Sequence, residues 1–263
     1  MSQNQTPPSS ALPRLPHRPW RWLGWLLLSQ VLVAVLWWQL GTAVGLATML
    51  LSHAAFVLPV FLPNCALYAP VLSRWHGAGD RVWLTIDDGP SQDTPALLAL
   101  LERHQARATF FLVGARASQH PERVRAILAA GHSIGNHSHD HPQARYWALG
   151  PQAMAQQIGH CQQALTAIAG SPPRWYRSVV GHTNPLVAGV LARHGLQRVG
   201  WSARGYDGVA ADVPTVLARI TPGLQPGAIV LLHEGGPPGQ AEAVLAGVLD
   251  ALAERGLRAD IPG

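Results

Sequence analysis

Between Trp22 and Pro63 the chain carries no charged side chain. As a single helix that stretch would run about 60 Å, twice the ~30 Å of a bilayer's hydrocarbon core, so one span is excluded and two are predicted. They fall at residues 22–40 and 43–62, with the segment "QLGT" turning between them. Trp20, Trp22, Trp25, Trp37 and Trp38 bracket the first span where an aromatic belt would lie. The run is too long for a signal peptide and lacks a small-residue cleavage site. Residues 22–63 therefore read as a transmembrane helical hairpin, with membrane lipid as its partner. Residues 1–21, rich in Pro, Ser and Gln and ending "RLPHRPWR", read as a disordered basic tail.

The arginines ahead of the first span favour a cytoplasmic N-terminus in a bacterial-type inner membrane, and a hairpin returns the rest of the chain to the same face. If the second segment were only interfacial, as Ser52, His53, Pro59 and Pro63 allow, the rest would face the opposite side.

Charge separates the two parts. All fourteen acidic residues lie at or after Asp80, whereas only Arg14, Arg18, Arg21 and Arg74 precede it, leaving fifteen arginines against fourteen acids in the remainder. A near-neutral domain argues against a nucleic-acid partner, which would require basic residues clustered on the fold itself. Cys65 and Cys161 match no zinc-motif spacing and predict no disulfide.

After a linker at residues 64–79, residues 80–263 alternate short apolar runs with helix-length segments. Strands are predicted at 81–86, 108–113, 132–135, 174–179, 197–201 and 228–232, with "GLRADIPG" a short last strand or a tail. Thr94-Pro95 and Asn184-Pro185 read as N-cap and first-turn pairs, and Gly131 and Gly195 as helix closers. This alternation predicts a mostly parallel sheet, open or closed into a barrel.

The unusual side chains gather at strand ends. Asp87 and Asp88 end the first strand, "NHSHDH" (136–141) the third, Arg177 lies in the fourth, Asp207 follows the fifth, and His233 ends the sixth. Parallel α/β folds place their active sites at this rim. His137 and His141, four apart, suit a shared metal. With one carboxylate of the Asp pair they make a facial ligand set for zinc, cobalt or another divalent transition metal. A dication would also let two adjacent carboxylates stay ionised, one binding the metal and the other free for proton transfer.

In order and approximate spacing, "TIDDGP", "HSHDH", "RSVVGHTN", "WSARGYD" and "LLH" resemble the five motifs of NodB-homology polysaccharide deacetylases, carbohydrate esterase family four. The likeness covers residues 81 to about 255 and implies a distorted (β/α) barrel. It further implies that Asp88, His137 and His141 hold the metal, zinc first and cobalt as the alternative. Asp87 would be the general base for water, and His233 the general acid for the departing amine. Arg177 would pair with Asp87, Asp207 would stand behind His233, the backbone N–H near Val180 would help bind the oxyanion, and Trp201 and Leu231 would wall the pocket. "SVV" after Arg177 and Gly208 after Asp207 depart from the family's usual aromatic-bearing motifs, which bears on substrate more than on reaction. Ile86 for the common Phe is a mild apolar swap.

The function implied is removal of N-acetyl, or a relative such as formyl, from an amino sugar in an envelope glycan or lipid-linked sugar. Alternatives are an O-acetyl esterase or non-sugar amide hydrolase on the same site, or a catalytically silent glycan-binding membrane protein. Outside the motifs, Asn184 reads as a helix cap and His139 as a pocket-wall or surface residue with a lesser claim to a ligand position. His104, His132, His160 and His194 read as solvated, Arg204 as an exposed ion-pair partner or an anion contact, and Glu234 as pointing away from the site.

Overall fold

A computed structural model describes Leu12, residues 14–209 and residues 212–263. Residues 1–11 and 13 of the expected tail lie outside the described residues. Two antiparallel helices, α1 (Arg21–Leu40) and α2 (Thr42–Val57), come first, and the predicted four-residue turn contracts to Gly41 alone. Its φ of 85° is left-handed, which only glycine adopts freely. A 3₁₀ turn at Leu58–Phe61 extends the second apolar segment to Thr42–Phe61. By length and composition both 20-residue segments can cross a membrane, and only 6% and 11% of them is buried, so neither is a core helix. They hold each other by close packing and polar contacts. A Cβ on Gly45 would lie 2.3 Å from the Trp37 ring, and Ser29 and Gln30 each meet the Ser52 hydroxyl at 2.9 Å.

The strands are β1 (Val71–Leu72), β2 (Arg81–Gly89), β3 (Thr109–Leu112), β4 (Ser133–Asn136), β5 (Trp175–Tyr176), β6 (Gln197–Val199), β7 (Ala203–Arg204), β8 (Ile229–His233) and β9 (Arg258–Asp260). They pair in parallel in the order β1-β6-β5-β4-β3-β2-β8-β7, with β9 beside the start of β2. β1 and β7 do not pair, so the curled sheet stays open as a half-barrel, in keeping with the distorted (β/α) barrel expected. The helices α3 (Thr94–Arg103), α4 (Gly114–Gln119), α5 (Pro121–Ala129), α6 (Pro151–Ala169), α7 (Val187–His194), α8 (Val213–Ile220) and α9 (Gln240–Glu254) connect the strands.

Strand parity sorts the core into two layers, because successive side chains point to opposite faces. Val82, Leu84 and Ile86 of β2 join Phe110, Leu112, Val230 and Leu232 in the layer beneath the helices. Trp83 of the same strand joins Phe111, Trp175, Val199, Ile229 and Leu231 inside the curl. Each fully buried aliphatic here contributes roughly 1.5 to 3 kcal/mol. Inward parity carried further along β2 and β8 reaches Asp87 and His233.

Several expectations need correction. Residues 64–79 are no free linker: they supply β1 and the buried Tyr68, Ala69, Trp75 and Ala78, because the curled sheet needs an edge partner for β6 and a floor. The described end of the tail is also docked. Leu12 is buried in the inner cluster, and the Leu15 N–H donates to Gln197 Oε1 at 2.7 Å. The fourth and fifth strands are shorter than 174–179 and 197–201, since the chain leaves the sheet for a 3₁₀ turn at Val179–Gly181 and Trp201 N–H turns to Asn64. Thr94 is the first residue inside α3 and no side chain caps that helix, while Asn184 closes a local turn onto the Leu186 N–H before α7 begins. His132 is buried, its Nδ1 facing the Ala108 N–H, and burial beside Arg107 pushes its pKa down to about 4.

Candidate active site

A regular strand would aim Asp87 and Asp88 at opposite faces. Here Asp87 pairs with Phe111 while the next pairing is Gly89 with Leu112, so Asp88 is the extra residue of a bulge, with φ of 71°. The bulge turns it back toward the mouth of the curl, where Asp87 already points. Two more left-handed residues, Ser138 (φ 67°) and His141 (φ 52°), fold "HSHDH" so that His141 returns onto His137. The Ser138 hydroxyl oxygen braces this turn by accepting the His141 N–H at 3.2 Å.

Asp88 Oδ1 lies 3.3 Å from His137 Nε2 and 3.0 Å from His141 Nε2, and the two imidazole nitrogens are 3.2 Å apart. His137 Nδ1 lies 2.9 Å from the Arg177 carbonyl, an acceptor only. In the neutral ring Nδ1 therefore holds the hydrogen and leaves Nε2 the lone pair a metal ligand needs. Asp87 and then Asp88 outweigh burial and raise the ring's pKa, so Nε2 is also the atom that takes up a proton and donates to Asp88. Asp88 Oδ1 is buried without a hydrogen-bond partner. Three donor atoms converging within 4.8 Å of one another, one an orphaned carboxylate oxygen, fit a divalent cation. Burial would raise the Asp88 pKa, but His137 and then His141 outweigh it and hold the carboxyl far below its usual range.

Asp87 is held differently. Arg177, fully buried, donates from Nη1 to Asp87 Oδ1 at 2.8 Å and to the Thr85 hydroxyl oxygen at 2.6 Å. Its Nη2 and Nε donate to the carbonyls of Gly200 and Val199, and its plane lies 4.3 Å above the Phe111 ring. The other Asp87 oxygen is 3.7 Å from His137 Nε2 and faces the cavity. Thr85 was not singled out from the sequence; its signal was parity, two residues before Asp87 on one face.

Across the mouth, Asp207 accepts the His233 backbone N–H at 2.7 Å and faces its Nδ1 at 3.0 Å. Burial would lower the His233 pKa, but Asp207 first, then Asp87 and Asp88, raise it to about 9. Val180, in the left-handed region at φ 46°, Trp201 and Leu231 line the same cavity of about 130 Å³ as Asp87, Asp88, His137, His141 and His233. Asp207 and Arg177 stand behind it. Arg204 and Tyr206 also line it, Tyr206 having passed unnoticed in the sequence.

His139 lies outside the cluster, its ring 5.6 Å edge-on to His160. Glu234 does point away, yet it is buried rather than exposed, accepting from the Ser91 and Thr94 hydroxyls at 2.8 and 2.5 Å. Burial pushes its carboxyl up.

A parallel half-barrel whose C-terminal rim gathers three donors that fit a cation beside a separately anchored carboxylate defines a hydrolase-type site. This chain belongs to the polysaccharide deacetylase family, carbohydrate esterase family four. Residues 76–199 match the family profile described as Polysaccharide deacetylase. A chitooligosaccharide deacetylase of Azorhizobium caulinodans is 35% identical over 61% of this chain and 76% of the relative. The peptidoglycan-N-acetylglucosamine deacetylase PgdA of Listeria monocytogenes is 37% identical over 59% of this chain but only 32% of the relative. The family 4 carbohydrate esterase of Streptomyces lividans, solved with acetate, superposes with a TM-score of 0.63 at 34% identity, covering 69% of this chain and 92% of that one. The protein is accordingly a hydrolase of carbon–nitrogen bonds other than peptide bonds.

Proposed function

We propose that this protein removes an N-acetyl group, or a small relative such as formyl, from an amino sugar in a glycan held at a membrane. The observation that carries the reading is the division of the Asp pair: Asp88 converges with His137 and His141, while Asp87 is anchored to Arg177 and turned to the cavity. A divalent cation on Asp88, His137 and His141, zinc or alternatively cobalt, would supply carbonyl polarisation and acidify water. Asp87 takes the proton from the attacking water, and Arg177 keeps it ionised and aimed. The Val180 N–H donates to the oxyanion, and His233, backed by Asp207, protonates the leaving nitrogen. Trp201 and Leu231 enclose the acyl methyl and the sugar. The chitooligosaccharide and peptidoglycan named for the relatives support an acylated amino-sugar glycan as substrate.

The exposed apolar surface of α1 and α2 supports a membrane hairpin over residues 22–63. Trp22 at the start of α1 packs edge-on against Tyr68, whose hydroxyl donates to the Phe56 carbonyl near the end of α2. Both ends of the hairpin thus meet the catalytic domain, which follows on the cytoplasmic side if the N-terminus is cytoplasmic.

The test is release of acetate with an equal amount of free amine from N-acetylated chitooligosaccharides by the detergent-purified full chain. Faster turnover of acetyl esters would favour the esterase, and no turnover of either with metal bound would leave a glycan-binding protein.

The pH profile tests His233. A base whose folded pKa is raised from 6.5 to about 9 is protonated below that value and loses its proton as pH rises through it, so kcat should fall above about pH 9. Asp207→Asn removes the largest raising influence and should move this alkaline limb down by more than one pH unit; an unmoved limb would exclude His233 as the acid.

A further inference from the structure

One cation in the catalytic cavity has no anionic partner among the described residues. Arg204, on the edge strand β7, pairs in register with Leu231 two residues before His233, and it lines the cavity with Asp87, Asp88 and His233. Its guanidinium lies 3.6 Å over the Tyr206 ring and 5.4 Å from that of Trp201, so two aromatic faces fix its plane. Its Nε is buried without a hydrogen-bond partner.

The carboxylates nearby are already engaged. Asp87 is bound by Arg177, Asp207 by His233, and Asp88 faces His137 and His141. A buried guanidinium N–H left without an acceptor is costly, and a planar donor fork preset by stacking suits a phosphate or phosphodiester.

The rim adds a second observation. Val180, Tyr206 and Val209 around the mouth are 45%, 47% and 64% exposed. The 3₁₀ turn that ends the second apolar segment packs on the same loop: Phe61 lies edge-on to His182 at 5.2 Å, and the Val60 carbonyl accepts the Thr183 N–H at 2.9 Å. The mouth therefore opens beside the end of the hairpin, where a phosphate linking a sugar to a lipid would pass.

We propose that Arg204 forms an anion subsite that binds a phosphate group carried next to the acylated sugar. The proposal rests on the amino-sugar reading above, deepening it to a phosphorylated substrate.

The test uses full-length Asp87→Asn protein, slow in turnover, titrated calorimetrically with N-acetylglucosamine and with N-acetylglucosamine 1-phosphate. The phosphate is expected to tighten binding tenfold or more, Arg204→Gln placed in the same background to abolish most of that gain, and Arg204→Lys to keep part of it. An undiminished gain in Arg204→Gln would assign the phosphate to the cation site and overturn the proposal, as would no gain at all.

Deacetylation of the soluble sugar phosphate, compared with the same sugar on a polyprenyl phosphate in vesicles, assigns the phosphate's source. Preference for either over the neutral sugar, with a loss in Arg204→Gln that falls on KM rather than kcat, supports the subsite. An equal loss on neutral and phosphorylated sugars would show a merely structural arginine. Binding gain without turnover of any of these sugars would overturn the deacetylase reading and leave the anion subsite standing.

Discussion

Asp87→Asn should leave the metal content of the purified protein at the wild-type level while lowering kcat roughly a thousandfold, and Asp88→Ala should remove the metal. The asymmetry follows from geometry. Asp88 Oδ1 is the oxygen set against both imidazoles, at 3.0 and 3.3 Å. Asp87 spends one oxygen on Arg177 and turns the other to the cavity. An amide at position 87 keeps the Arg177 hydrogen bond through its oxygen but cannot accept a proton, and general-base catalysis is typically worth 10² to 10⁴ in rate. Elemental analysis alongside acetate release checks both halves. Comparable metal loss in the two variants would mean that the pair acts jointly as ligands and that the assignment of base and ligand is wrong.

Arg177→Met should be the most destabilising of these changes, lowering stability by about 3 to 5 kcal/mol. Asp87 is only 3% exposed and would be left as a buried charge without its partner, and the Thr85 hydroxyl and the Gly200 and Val199 carbonyls would each lose a donor. For a domain of this size that corresponds to a fall in Tm of roughly 10 °C. Adding Asp87→Asn to Arg177→Met should recover part of the loss, because the uncompensated charge is gone. Thermal unfolding of the two single variants and the double variant measures this coupling, and strict additivity would show that Arg177 stabilises through Thr85, Val199, Gly200 and Phe111 and not through the charge of Asp87.

Much of the site could be read from residue order because its causes are local. Period-two alternation in β2 and β8 already aims Asp87 and His233 inward with Trp83 and Leu231, and the four-residue spacing of His137 and His141 survives in the turn that joins them. The uncharged stretch from Trp22 likewise announced two helices, since length and hydropathy need no tertiary partner. Residues 64–79 and the described end of the N-terminal tail depart from expectation for the complementary reason. They lack periodicity of their own and are ordered by what they cover, the β6 edge and the floor of the curl.

Composition and periodicity along the chain thus account for which segments become strands, for the strand ends on which the polar groups fall and for the pair of apolar helices, all of which are set by residue patterns within a segment. That adjacent aspartates serve different partners depends instead on a left-handed bulge at Asp88 and on a buried arginine that follows β5, 90 residues later. Backbone strain of that kind persists only where distant parts of the fold jointly enforce it, so no local pattern records it. The same holds for Arg204, whose isolation from every described carboxylate emerges only once Asp87, Asp88 and Asp207 have each been claimed by another side chain.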